Sequence, residues 1–344
     1  MFFVAALSPL LGFINEYTFF YTYVADHYQY TAAIGLLAVF AAFLWRWFAK
    51  TVFWVPVQVA LLLVLGCLTW NQCGAYRDEE MIWRDTLAKN PESWLAHHNL
   101  GVVLFERGQL NAALEQYQDA VSLYPNGDQE QSDLGTALME QGRYAEAIQQ
   151  LETALALNRG LFPAQNSLAL AYARNGDEDQ AVAHFRKALR LCPGALGVMM
   201  NLGSALQRLG KPEEAAENYR SAAKQFPAEV DPLRRLAEVL VAREQFPAAV
   251  EVCRQAIQRA PGRADLLLDL GNIQLTLTNY DAAADCDRQA LQLDPINAGL
   301  HYNLGLVQGL RGQTDAERQE LTEALRLKPG FSPAQQQLQL LNSK

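Results

Sequence analysis

WLAHHNLGVVLFERGQLNAALEQYQDAVSLYPNG, residues Trp94–Gly127, opens a run of seven 34-residue stretches that share one pattern without insertion or deletion. Leucine keeps the same phase throughout, at Leu100, Leu134, Leu168, Leu202, Leu236, Leu270 and Leu304. A small residue always follows it: Gly101, Gly135, Ala169, Gly203, Ala237, Gly271, Gly305. Twenty residues after each phase leucine stands an alanine, from Ala120 to Ala324. Seven before that stands another, from Ala113 to Ala283, with Glu317 the exception in the last unit. Proline closes every unit but the second, where Arg159 replaces it.

One physical cause links these choices. Two antiparallel helices approach closely only where facing residues are glycine or alanine, so the small residues mark crossing points. Larger side chains such as Tyr117, Phe185 and Tyr219 fill the space between hairpins. Gly108, Gly142, Gly176, Gly210 and Gly312 fall where a first helix must end, at a position wanting positive φ. The closing proline cannot continue the second helix and turns the chain into the next unit. The period and this column of residues resemble the tetratricopeptide repeat. The resemblance implies an all-α fold, a right-handed superhelix of seven helical hairpins over residues 94–331 with a concave groove. Glu79–Lys89 and Pro91 fit the second helix of a half-repeat connector over 77–93, with Trp83 in the phase of Tyr117. Residues 332–344, rich in glutamine, read as a polar capping helix.

The chain has 344 residues and a formal net charge of -9, unevenly spread. Arg46, Lys50 and Arg77 against Glu16 and Asp26 leave residues 1–77 at +1, so the remainder stands at -10. An acidic remainder argues against nucleic acid as a partner. The five cysteines lack metal-ligand spacing, and their odd number suggests small unpaired hydrophobes rather than a disulfide framework.

Residues 1–76 have a different composition. Between Thr51 and Tyr76 no residue is charged, and a second uncharged run extends from Tyr28 to Trp45. Runs of this length suit a hydrocarbon core of about 30 Å. The expectation is a membrane segment over 1–76: a transmembrane helical hairpin with spans at about 28–48 and 52–70, preceded by a partial span at 1–15. Met1–Asn15 begins within an apolar run and is expected to be the end of a helix whose predecessors lie upstream. Arg46 and Lys50 in the short turn favour its cytoplasmic placement, which puts the repeats outside the cytoplasm, periplasmic or lumenal.

Val24–Ala25–Asp26–His27–Tyr28–Gln29–Tyr30, followed by Gly35, resembles a stretch near the end of the membrane part of the transmembrane-and-tetratricopeptide O-mannosyltransferases and their bacterial relatives. Met81–Asp85 through Pro91 into Trp94 resembles their junction with the first repeat. The resemblance implies a glycosyltransferase of the lipid-linked-sugar type, with Asp26, His27, Tyr28 and Tyr30 in a loop contacting a lipid phosphate. His27 stands where that family often has arginine, and the family's acidic catalytic residues lie in earlier loops that these residues do not include. Two readings follow. One is a membrane-tethered scaffold, non-catalytic as it stands, that binds a protein or extended peptide. The other is the C-terminal piece of a membrane O-glycosyltransferase whose repeats present acceptor proteins. Neither calls for a cofactor or a resident metal, and no histidine pair, GxSxG, Walker or GxGxxG pattern points to catalysis in the repeats.

Within the groove, the residue before each phase leucine is asparagine at Asn99, Asn201 and Asn303. This resembles the asparagine ladder of O-linked N-acetylglucosamine transferase, in which amides grip a peptide backbone; the alternative is simple solvation of a helix face. Arg174, Arg208, Arg234 and Arg235 also fall on groove positions. Converging guanidiniums favour an acidic peptide, and the alternative is ordinary ion pairing, for instance with Glu238.

Overall fold

The computed structural model describes residues 78–342. The expected membrane spans and the loop residues Asp26, His27, Tyr28 and Tyr30 lie outside the described residues. Among the described residues every regular element is a helix, and no helix is long and apolar enough to cross a membrane. The chain divides into two compact units, Met1–Leu161 and Phe162–Lys344.

In the first unit, α1 (Glu79–Lys89) precedes the hairpins α2 (Trp94–Glu106) with α3 (Leu110–Leu123), and α4 (Asp128–Glu140) with α5 (Tyr144–Leu157). The second unit contains five hairpins. They are α6 (Phe162–Asn175) with α7 (Glu178–Leu191), α8 (Leu196–Arg208) with α9 (Pro212–Gln225), and α10 (Asp231–Ala242) with α11 (Phe246–Arg259). After these come α12 (Ala264–Thr276) with α13 (Tyr280–Leu293), α14 (Ala298–Leu310) with α15 (Thr314–Leu327), and the single helix α16 (Ser332–Asn342).

The crossing inside each hairpin is set by the small residue after the phase leucine. A β-carbon on Gly101 would lie 2.7 Å from the Tyr117 ring, and one on Gly135 would lie 2.6 Å from Leu151 Cγ. In the second unit a β-carbon on Gly203 would overlap the ring of Tyr219. Ala113, Ala120, Ala147 and Ala154 in the first unit, and Ala181, Ala188, Ala215 and Ala222 in the second, are fully buried. Their size is a condition of the helix spacing, not a preference for helix alone.

Polar groups recur at fixed offsets and pin the turns. Three residues before the phase leucine, His97 Nε2 lies 2.9 Å from the Pro91 carbonyl, and Gln131 Nε2 donates to the Pro125 carbonyl at 3.0 Å. In the second unit His301 Nε2 lies 3.2 Å from Pro295 O, and Gln335 Nε2 donates to Pro329 O at 2.8 Å. Proline ends the second helix, and the carbonyl it exposes is taken up by the next helix. Three of the histidines also reach across their own hairpin: His97 Nδ1 to Gln116 at 2.9 Å, His184 Nδ1 to Gln165 at 2.9 Å, and His301 Nδ1 to Glu320 at 2.7 Å.

Five first helices hand over to their partners through a glycine at positive φ, between 73° and 87°. Hairpins α10–α11 and α12–α13 have no glycine there, yet take the same turn: Glu244 sits at φ 57° and Thr278 at φ 58°. A β-branched residue in the left-handed region is strained. Thr278→Gly is therefore expected to stabilise the fold by about 1 kcal/mol, and Glu244→Gly by less. Denaturant titration would measure both; a Thr278→Gly protein no more stable than the parent would remove strain from the account.

Candidate functional site

The first helices of neighbouring hairpins present side chains to one another, and these cross-helix bonds define a common face in each unit. In the first unit His98 of α2 meets Asp133 of α4 at 2.9 Å, and Gln129 also donates to Asp133 at 3.0 Å. Asn99, next to His98, is half-buried on the same face. In the second unit the corresponding contacts join α10 to α12. Arg234 donates to Asp269 at 2.7 Å and to Asp265 at 3.1 Å, while Arg263 donates to Asp265 at 2.5 Å and to Asp231 at 3.0 Å.

In this network two guanidiniums, Arg234 and Arg263, are taken up by three carboxylates, Asp231, Asp265 and Asp269. Hydrogen bonding from Arg263 is the main cause that holds the Asp265 carboxyl below its ordinary value, and the Asp269 bond raises Arg234. Arg208 is similarly engaged, as both Nε and Nη2 bond Glu178 at the start of α7. That pairing belongs to a recurrent strut from the end of one first helix to the start of the previous second helix. Arg243–Glu213 at 2.8 Å and Arg311–Asp281 at 2.7 Å repeat it in the second unit, and Arg107–Asp78 at 2.5 Å makes it in the first. Arg235 meets Glu238 at 2.9 Å on its own helix, with both side chains largely exposed. Arg174 is exposed near the end of α6. The four arginines thus do not form one cluster of equivalent cations: Arg208 and Arg234 brace helices, and among the described residues Arg235 pairs only within its own helix.

The asparagines differ. Asn201 on α8 and Asn303 on α14 are half-buried, and their amides have no hydrogen-bond partner among the described residues. Between and beyond them the same face carries Leu268, Leu275 and Leu306, half-buried, with Leu310 55 % exposed. Asn166 Oδ1, two residues before a phase leucine, is buried without a partner. Among the described residues no group of three or more histidine, cysteine or acidic side chains could hold a metal ion.

Comparison with known proteins matches residues 94–126, 132–195, 200–264 and 268–330 to tetratricopeptide repeats, well over half of the chain. The chain belongs to the tetratricopeptide repeat family. No curated protein matches it. Among solved structures, a tetratricopeptide repeat protein from Parabacteroides merdae is similar with a TM-score of 0.51 and 15 % identity, covering 72 % of this chain and 98 % of that one. The Cut9–Hcn1 tetramer of the APC/C is similar at 22 % identity with a TM-score of 0.45, covering 76 % of this chain. The match spans 52 % of the length of the matched chain in that structure. YrrB, described as a tetratricopeptide repeat protein with an unusual peptide-binding site, shares 19 % identity with a TM-score of 0.43, covering 54 % of this chain and 96 % of its own. The repeats make the protein a scaffold suited to binding a protein or peptide.

Sequence reasoning missed the histidine pins and the thirty-residue struts. Their signals were present: a polar residue three before the phase leucine, and a cation seven after it matched by an acid thirty residues earlier, as in Arg243 with Glu213 and Arg311 with Asp281.

Proposed function

We propose that this protein is a membrane-tethered scaffold that takes an extended polypeptide along the first-helix face, held at its backbone by the free amides of Asn201 and Asn303. The observation that carries the reading is that these two amides stand half-buried on the face with no hydrogen-bond partner among the described residues. An amide both donates and accepts, so it matches a peptide unit whatever side chain that unit carries. Leu268, Leu275 and Leu306 offer apolar contact beside them. Arg235 is where an acidic side chain would enter, because its partner Glu238 is exposed and such surface pairs hold weakly. The uncharged runs within 28–48 and 52–70 support the tether.

The test is selection of a random dodecapeptide display library on the full chain, prepared from the membrane fraction after an alkaline wash. Peptides are expected to bind, to lose at least tenfold in affinity when Asn201 and Asn303 are both alanine, and to compete with one another. Binding untouched by these changes would move the site elsewhere, and loss of the chain into the alkaline supernatant would remove the tether. The second reading, a C-terminal piece of a lipid-linked-sugar glycosyltransferase, is supported by the Val24–Tyr30 and Met81–Trp94 stretches. It expects no sugar transfer by this chain alone, so turnover by the isolated chain would overturn both readings.

A further inference from the structure

Seventeen residues after the phase leucine the second helices place Tyr117, Leu151, Phe185, Tyr219, Cys253 and Leu321 in the core, but in hairpin α12–α13 the same position is Asp287. The substitution is not accommodated by turning the side chain outward. Asp287 is 2 % exposed, and a β-carbon on Gly271 of α12 would lie 3.1 Å from its Oδ1. No donor or cation among the described residues pairs with the carboxyl.

Two further observations fall on this hairpin. The large core group of the second unit ends there, at Leu270, Ile273 and Cys286. Beyond it the core continues as separate small groups, Ala283 and Ala284 with Leu304 and Val307, and Leu267 with Ala290 and Leu300. The turn that joins α12 to α13 is the one strained at Thr278.

We propose that hairpin α12–α13 is a pH-sensitive joint, packed when the Asp287 carboxyl is protonated and loosened when it is ionised. Burial is the cause that acts on it, raising the carboxyl to about 7. The titratable and charged groups nearby are Cys286 and Asp285 on α13, with Arg234 on α10, Cys253 and Arg254 on α11 and Asp269 on α12 around Cys286 and Cys253. None offsets the burial of Asp287. From α14, Leu304 and Val307 pack on this hairpin, while the His301 ring is turned to Glu320 and Pro295.

The direction follows from proton linkage. Between the ordinary carboxylate value of 3.8 and about 7 the folded hairpin holds a proton that the unfolded chain has lost. Stability therefore falls as pH rises through this interval, is lowest above it, and is unaffected below it, where both states are protonated. Each repeat rests mainly on its neighbours, so loosening α12–α13 also releases α14, α15 and α16 from the rest of the second unit. The consequence for binding rests on the proposed first-helix face: a polypeptide spanning Asn201 and Asn303 is held across this joint.

Hydrogen exchange of the full chain at pH 5.5 and pH 8, corrected for intrinsic exchange, tests the joint without any ligand. Protection in α12–α16 is expected to fall at least tenfold more than in α6–α9 on going to the higher pH. Asp287→Asn keeps the shape and removes the ionisation, so it should abolish the difference between the two pH values. Asp287→Leu should raise protection in α12–α16 at pH 8. An unchanged pH dependence in Asp287→Asn, a uniform loss across all hairpins, or no loss in the parent protein would each overturn the proposal. Peptide binding can fail while these outcomes hold, so the two readings are judged separately.

Discussion

Replacing Tyr219 by alanine is expected to destabilise the second unit by about 4 kcal/mol, a large share of what a domain of this size commands. The ring is fully buried between α8 and α9, and it lies directly on Gly203. Its hydroxyl meets Ser204 Oγ at 3.2 Å and donates to Gln207 Oε1 at 3.2 Å. Alanine would remove the ring, leave a cavity that the neighbouring helices cannot close, and take the hydroxyl from Gln207, while Ser204 keeps its bond to the Met200 carbonyl. Tyr219→Phe separates these effects, as it keeps the ring and loses only the hydroxyl; a cost of about 1 kcal/mol is expected. Gly203→Ala approaches the same contact from the other side. Its methyl would overlap the ring, and since the ring cannot move within a close-packed core, a loss of about 2–3 kcal/mol is expected despite alanine's better helix propensity. Urea titration followed by circular dichroism would read all three. A Gly203→Ala protein as stable as the parent would show that close approach of the Tyr219 ring does not set the hairpin crossing.

The ring and the glycine also show why the fold was legible before the structure. Gly203 and Tyr219 are sixteen residues apart, a separation repeated in Gly101 with Tyr117 and Gly135 with Leu151, so the sequence exposes the crossing as two columns of one alignment. Helix phase and small-residue placement are local and repeat, and seven copies average out each exception. The candidate face was legible only in part. Phase put Arg208 and Arg234 on groove positions, but phase says nothing about partners. Glu178 and Asp269 lie thirty and thirty-five residues from them, on other hairpins. Whether a guanidinium reaches a ligand or a neighbouring carboxylate depends on the lateral spacing of hairpins, which the repeat period does not contain. Asp287 was readable as a carboxyl in the phase of Tyr117. Its burial was not, because an acid at one position in seven can equally be carried on a helix rotated toward water.

Glu317 illustrates the same limit and leads to a second large effect. In six units its position is an alanine at the crossing, and a buried carboxylate there reads as an error in the pattern. The structure shows an exchange of volumes. Glu317 is 5 % exposed, and a β-carbon on Gly309 of α14 would come within 2.5 Å of its Oε2. The positions equivalent to Gly309 in the other hairpins hold Phe105, Met139, Ala173, Gln207, Val241 and Leu275, so glycine here makes the room that Glu317 fills. Its other oxygen accepts from Gln337 Nε2 at 2.8 Å, which ties α16 to the last hairpin. Gly309→Ala is therefore expected to push the carboxylate off this seat and cost about 2 kcal/mol, with α16 losing its protection from exchange. Glu317→Ala should leave a void beside Gly309 and free Gln337, costing about 1–2 kcal/mol. The double variant puts alanine at both positions, the combination that Ala173 and Ala181 give hairpin α6–α7, so its loss should be smaller than the sum of the two by at least 1 kcal/mol. A strictly additive double variant would mean that Gly309 and Glu317 are independent departures from the repeat, and that α16 is held by Ala334 and Leu338 in the last core group without help from the carboxylate.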